Sequence, residues 1–128
     1  MYILTKQRKK MSKPVLVTRT SLQRMLDNPD QEKVQHVIGR ALVALLRRQT
    51  SAEQTNNATL VHNNIGFTGV DGRSGAITAK YYIKNKSLLP WQTRSWLKKG
   101  KNGFSRIAKY HAQLNEVAIA RAAQQQAE

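Results

Sequence analysis

The chain has 128 residues and no cysteine, and its 22 Lys and Arg residues stand against 7 Asp and Glu residues, for a formal net charge of +15. This length fits one ordinary domain, the missing cysteines exclude disulfides and thiolate metal sites, and the longest apolar run, residues 41–46, is far shorter than the roughly 20 residues that span a bilayer. Because like charges repel one another and do not favour compaction, the excess of cations predicts an acidic partner. The short apolar run predicts no membrane partner.

The N-terminal residues 1–13 are predicted to form a flexible basic arm. They contain no acid, show little hydrophobic periodicity and carry five cations, Lys6, Arg8, Lys9, Lys10 and Lys13. Met11 offers an alternative translation start. Residues 14–18 are short and β-branched without an obvious partner strand, so we interpret them as an extended lead-in.

A short helix is predicted next. Leu22, Met25 and Leu26 stand at i, i+3 and i+4, which places them on one helical face. Thr20 or Ser21 can cap its start, and Asn28–Pro29 ends it.

The clearest helix is predicted from the N-cap Asp30 to about Gln49. Its apolar positions repeat at helical spacing, at Val34, Val37, Ile38, Ala41, Leu42, Leu45 and Leu46. Gly39 inside this helix predicts the close approach of another helix. His36 has no partner at metal-ligand spacing and is interpreted as a surface or packing residue.

Residues 50–75 are predicted to form a long Gly- and Asn-rich connection, with residues 59–62 as one short buried segment. Glycines occupy every third position at its end, at 66, 69, 72 and 75. Neither the phosphate-loop nor the dinucleotide-binding pattern is present. Gly72–Gly75 could be a Gly-x-x-Gly phosphate clamp of the kind used on single strands, and the alternative is a turn-rich path that needs positive φ, with Asp71 as a cap.

Three more helices are predicted, over residues 75–84, 90–99 and 102–124. The first is capped by Ser74 or Asp71 and has its apolar face on Ala76, Ala79 and Ile83, with Ile77 and Tyr81 beside it. The second begins at Pro90. The last buries Phe104, Ile107, Ala108, His111, Leu114 and Ala118, and residues 123–128 are expected to fray.

The predicted fold class is therefore mainly α. Residues 14–122 form a single small helical domain with a long Gly/Asn-rich loop, preceded by the flexible basic arm.

The positive charge is segregated along the chain. Residues 72–115 hold ten cations and no acid, whereas residues 14–71 hold six cations and five acids. An acid-free cluster attracts a polyanion and releases its condensed counterions on binding. The cations expected to contact phosphate are Arg73, Lys80, Lys84, Arg94, Lys98, Lys99, Lys101, Arg106 and Lys109.

Six of the eight aromatic residues lie in the same segment, and single-stranded bases stack on aromatic rings between cations. The alternative is that these rings form the core. We expect Phe104 and Trp96 or Trp91 to be packed. Tyr82 and Tyr110 are the rings predicted at the edge of a basic surface.

The sequence does not favour catalysis. Metal-dependent hydrolysis needs clustered carboxylates or histidines, and the seven acids are scattered. His62–Asn63–Asn64 is faintly similar to an HNH nuclease, but the helix that follows offers only Lys, Tyr and Asn where a second ligand would stand. No enzyme, cofactor or metal is predicted.

Residues 65–115 carry a recurring pattern, a Gly-Phe turn, an Asp before a helix, an L-x-x-x-Q helix start and a K-Y-x-x-Q-L segment, here Gly66–Phe67, Asp71, Leu88 to Gln92 and Lys109 to Leu114. The pattern resembles a helical module of small bacteriophage and mobile-element proteins that also occurs beside DNA-processing enzymes. The resemblance implies a phage or prokaryotic context with DNA or RNA nearby, and it carries over no catalytic residue.

The sequence thus predicts a nucleic-acid-binding protein, with DNA favoured over RNA, in the cytoplasm of a bacterial host cell. One alternative is a phage-encoded adaptor or inhibitor that docks on a host DNA-processing protein. Another is a ribosome-associated or virion structural protein. Single against double strand and the oligomeric state stay open.

Overall fold

The computed structural model describes residues 16–56 and 66–127, which form five α-helices and one 3-10 helix. The elements are α1 (Arg19–Leu26), α2 (Gln31–Asn56), α3 (Gly72–Asn85), α4 (Pro90–Leu97), the 3-10 helix η1 (Arg106–Tyr110) and α5 (His111–Ala127). The prediction of a mainly helical fold is confirmed. No helix among the described residues is long and apolar enough to cross a membrane. Residues 1–13 and 59–62, for which an arm and a buried segment were predicted, lie outside the described ranges.

Helix α2 is the centre of the fold, since α1, α3, α4 and α5 all contact it. Its inward side chains are fully buried, at Val34, Ile38, Leu42 and Leu45. Asp30 caps the helix as predicted, because its carboxylate accepts a 3.1 Å hydrogen bond from the backbone N–H of Glu32. The predicted end at Gln49 is wrong, since α2 continues to Asn56. Extending an existing helix requires only one residue to be fixed per hydrogen bond, so a polar stretch without periodicity can follow.

Helix α3 lies unusually close to α2. A Cβ atom at Gly39 of α2 would overlap the ring of Tyr82 on α3, so the close approach predicted at Gly39 is confirmed. A Cβ atom at Gly75 of α3 would overlap the ring of Phe67, in the loop before that helix. The smallest side chains therefore face the core. The predicted apolar face of α3 is wrong in part, because Ile77 and Ile83 are 55% and 40% exposed.

The start of α1 also differs from the prediction. Thr18, not Thr20 or Ser21, is its N-cap. The Thr18 hydroxyl accepts from the backbone N–H of Ser21 at 3.0 Å, and the Ser21 hydroxyl accepts from the backbone N–H of Thr18 at 2.8 Å. This reciprocal capping box moves the helix start to Arg19.

The last predicted helix is divided into three parts, which makes its predicted start at residue 102 wrong. Residues 98–105 form a tight turn closed by an antiparallel bridge between Lys99 and Ser105, with Gly103 at a φ of +80°. A turn of this kind favours glycine because a Cβ is strained at positive φ. Helix η1 follows, and α5 reaches Ala127. The fraying of residues 123–128 stays a prediction.

Side-chain amides hold the non-helical segments in place. The Gln113 amide bonds both the N–H and the C=O of Gly66, at 2.7 and 2.9 Å, and Asn115 bonds both backbone groups of Val17, at 2.8 and 2.7 Å. Gln35 accepts from the backbone N–H of Leu88 at 2.9 Å. Because backbone polar groups need partners when water is excluded, these amides fix how the loops cross the helices.

Candidate nucleic-acid interface

A buried carboxylate organises the basic end of the molecule. Asp71, directly before α3, is 1% exposed. Its Oδ1 accepts from Arg106 Nε at 2.8 Å, and its Oδ2 accepts from Tyr110 OH at 2.5 Å and pairs with Lys109 Nζ at 2.7 Å. Asp71 is the N-cap residue of α3, one of the two caps predicted, but its side chain makes no capping bond to the helix. Its carboxylate instead joins α3 to η1.

The cluster shifts the pKa values of Asp71 and Tyr110. Burial alone raises the pKa of Asp71, but hydrogen bonds from Lys109, Tyr110 and Arg106 outweigh it and lower the pKa from 3.8. Burial, followed by the hydrogen bond to Asp71, raises the pKa of Tyr110 to about 12. At neutral pH Asp71 is therefore ionised and Tyr110 keeps its proton.

Arg106 is held on three sides. Its guanidinium carbon lies 3.9 Å from the centre of the Trp96 ring, within the range of a cation–π interaction. Its Nη1 donates to the Ser95 hydroxyl at 3.0 Å, in addition to the Nε bond to Asp71. Helix α4 supplies both the ring and the hydroxyl, so Arg106 is a fixed part of the wall between α4 and η1.

Next to this cluster lies a basic cleft with a volume of about 380 Å³. We call it the basic cleft and define it by its five cations, Arg19, Lys98, Lys99, Arg106 and Lys109. Its other lining residues include Asn102, Phe104 and Ser105, and among the described residues that line it none is acidic. Concave basic walls focus the electric field and raise the local concentration of anions.

Helix α1 positions one wall of the basic cleft. The buried Gln23 accepts from the backbone N–H of Ser105 at 2.6 Å and donates to the Ser105 hydroxyl at 2.9 Å. Arg19 stands one turn before Gln23 on the same face of α1. Its guanidinium carbon lies 5.3 Å from the centre of the Phe104 ring.

Two carboxylates reduce the charge of this region without cancelling it. Asp71 serves both Arg106 and Lys109, so one negative charge meets two positive ones. Asp27 lies 3.7 Å from Lys99, and both side chains are 53% exposed, a geometry in which an ion pair is weak. Five cations against two carboxylates leave the region positive.

Three residues of the 65–115 sequence pattern, Phe67, Asp71 and Tyr110, meet at this same place. Phe67 lies edge-on to Tyr110, with ring centres 6.0 Å apart, and 6.2 Å from Trp96. No known family model, curated protein or solved structure matches this chain. Two pairs of pattern residues, Gly66–Gln113 and Asp71–Tyr110, join the loop before α3 to α5 and η1.

The predicted phosphate-contacting residues fall into separate groups. Lys98, Lys99, Arg106 and Lys109 line the basic cleft. Lys101 is exposed in the turn between two lining residues, Gly100 and Asn102. Arg94 is exposed on α4, and three cations share the outer face of α3, namely Arg73, Lys80 and Lys84.

Neither predicted stacking ring is free. Tyr110 is 2% exposed and bonded to Asp71, so it cannot stack on a base, and that prediction is wrong. Tyr82 is half-buried over Gly39, and its hydroxyl lies 2.7 Å from His36 Nδ1. This contact with Tyr82 agrees with the interpretation of His36 as a surface or packing residue. Both tyrosines pack inside the fold, where each contacts a residue distant in sequence: Tyr110 contacts Asp71, and Tyr82 contacts His36.

Sequence reasoning missed Arg19 and Trp91. Arg19 belongs to the half of the chain with balanced charge, where the segregation of cations gives no signal. Of the two tryptophans, Trp96 is fully buried and Trp91 is 59% exposed. Pro90 at the first helical position was a usable signal for Trp91, since it sets the helix start and hence the phase of α4.

Proposed function

We propose that this protein binds nucleic acid, DNA in preference to RNA, by seating backbone phosphates in the basic cleft. The observation that carries the proposal is the basic cleft itself, in which five cations from three parts of the chain converge with no acid among the described lining residues. Arginine and lysine donors of this kind are the usual partners of phosphate oxygens. An origin in a bacteriophage or mobile element stays a prediction from the resemblance.

The binding is expected to depend mainly on charge. Phosphate contacts carry no direct sequence information, so affinity should vary little between oligonucleotides of equal length. Each neutralised phosphate releases condensed counterions. Six contacts, from the five cations of the basic cleft and the adjoining Lys101, lower the affinity by roughly 10³-fold between 50 and 200 mM salt.

A labelled oligonucleotide titrated at several salt concentrations tests the proposal. The variant carrying Lys98→Gln and Lys99→Gln should bind at least about tenfold more weakly, and its plot of log affinity against log salt should be shallower by about two. The matched control carries Lys33→Gln and Arg47→Gln, two exposed cations of α2 that do not line the basic cleft. Equal losses in both variants would mean that net charge, and not the basic cleft, drives binding. Affinity that does not respond to salt would contradict the proposal.

A second candidate function, docking on a host DNA-processing protein, is favoured by an apolar groove between α1, α2 and α5. The groove has a volume of about 250 Å³, with Met25, Val37, Ala44 and Leu114 among its walls, and Arg40 and Arg121 line it as well. Apolar walls flanked by arginines suit an amphipathic acidic segment. The test is to treat the purified wild type and Met25→Asp with nuclease and to ask whether a DNA-processing protein remains bound. Its retention by the wild type and its loss from Met25→Asp would support this role. Retention by both would contradict it.

A further inference from the structure

Helix α4 exposes a large aromatic ring at its first turn. Trp91 is 59% exposed, although tryptophan is highly buried on average. The same helix buries Gln92, Thr93 and Trp96, so its core-facing side is already occupied. Trp91 therefore gives no more than a minor part of its surface to the core, and its ring is open to a ligand.

The exposed side of α4 leads from Trp91 to the basic cleft. At about 100° per residue, Trp91, Arg94 and the C-cap Lys98 all fall on the half of the helix opposite Thr93 and Trp96. Lys98 lines the basic cleft, and the axial distance from Trp91 to Lys98 is roughly 10 Å at 1.5 Å per residue. Thus one side of α4 offers a ring, then a guanidinium, then the edge of the basic cleft.

We propose that Trp91 is a stacking platform for a base of single-stranded nucleic acid, with the adjoining phosphates on Arg94 and in the basic cleft. This inference rests on the proposed function. In a duplex the base faces are covered by their neighbours, and only unpaired bases can stack on a side chain. The cations on the same side of α4 identify the ligand class, because the exposed Arg94 stands three residues after Trp91 and Lys98 follows at the edge of the basic cleft. A ring flanked in this way is complementary to a base carried on a phosphate backbone.

Fluorescence and affinity titrations with single-stranded and duplex DNA of equal length test the inference. The chain has two tryptophans, and Trp96 is fully buried. Single strands should therefore quench the emission of the wild type much more than that of Trp91→Phe, in which only the buried Trp96 reports. Trp91→Ala should weaken single-strand binding roughly 5- to 150-fold, while Trp91→Phe retains most of it. Duplex affinity should be the same in all three proteins.

Two further variants separate stacking from charge and from general disturbance of the surface. Leu89→Ala changes an exposed apolar neighbour that is 37% exposed, and it should bind as the wild type does. Arg94→Gln should reduce the slope of log single-strand affinity against log salt by about 0.7, whereas Trp91→Ala leaves that slope unchanged. Thermal unfolding of each variant checks that the fold is kept.

The outcomes distinguish this inference from the proposed function. If Trp91→Ala binds single strands as tightly as the wild type, or loses duplex binding equally, the stacking role is wrong while nucleic-acid binding stands. If the wild type binds no single-stranded DNA, no duplex DNA and no RNA, the proposed function itself is wrong. A Trp91→Ala defect confined to the capture of a protein partner would also overturn the stacking role.

Discussion

Tyr110 donates a 2.5 Å hydrogen bond to the buried carboxylate of Asp71, which lies 39 residues earlier in the chain. The bond joins the start of α3 to the end of η1. Arg106 and Lys109 meet the same carboxylate. Asp71 therefore decides both how two helices meet and how much positive charge the basic cleft retains.

Replacing Asp71 should destabilise the fold. Asp71→Asn takes the anionic acceptor away from Tyr110, Arg106 and Lys109, whose two cations are partly exposed, so it should lower the free energy of unfolding by about 1–3 kcal/mol in urea denaturation. Asp27→Asn is the matched control, since its pair with Lys99 is exposed and should be worth less than about 1 kcal/mol. Similar small losses in both variants would mean that the Asp71 cluster is dispensable.

The contribution of Asp71 should disappear in acid. Because its pKa is lowered in the folded state, the stabilisation is fully present above about pH 3.8 and is lost as the pH falls through the folded pKa. The difference in unfolding free energy between wild type and Asp71→Asn should therefore narrow below pH 3.8. A difference that stays constant down to the folded pKa would contradict the ionised carboxylate.

The stabilisation that Tyr110 contributes should be lost at alkaline pH. Its pKa is raised from 10.0 to about 12, so its stabilisation is fully present below pH 10 and is lost as the pH rises towards 12. Tyr110→Phe should be less stable than the wild type at neutral pH, and this difference should shrink between pH 10 and 12. Fluorescence-monitored unfolding at fixed urea measures it, and Tyr82→Phe controls for other tyrosines. A gap that widened with pH would reverse the assigned shift.

The two packing glycines should not accept a methyl group. In Gly39→Ala the new Cβ would overlap the Tyr82 ring, and in Gly75→Ala it would overlap the Phe67 ring. Each change should lower stability by about 1–3 kcal/mol, as overpacking does, despite the better helix propensity of alanine. Gly72→Ala is the control, because its Cβ would meet nothing within 4 Å. It should be neutral or stabilising in thermal denaturation.

Arg19 and Gln23 should have separable effects on the basic cleft. Arg19→Gln removes one exposed cation, so it should weaken oligonucleotide binding and reduce the salt slope by about one without changing stability. Gln23→Ala leaves the buried N–H of Ser105 without its partner and should lower the unfolding free energy by about 1–3 kcal/mol. Unchanged binding by Arg19→Gln would remove α1 from the interface.

Local signals in the sequence determined most of the secondary structure. The apolar repeat from Val34 to Leu45 indicates α2, and Asp30 and Pro90 mark the starts of two helices. These features depend on residues within one or two turns of each other, so a single sequence contains them. The segregation of cations in residues 72–115 is likewise a property of composition.

Only the tertiary structure decided which rings and charges remain available. Tyr110 became part of the core and Trp91 was left outside, because burial depends on which distant element arrives at each face. Arg106 was paired by Asp71, 35 residues away, and Arg19 reached the basic cleft through a contact between Gln23 and Ser105, 82 residues apart. Ion pairs and buried rings form between segments that folding brings together, so their energies depend on which distant segments meet. Helical periodicity and capping residues carry no information about those contacts.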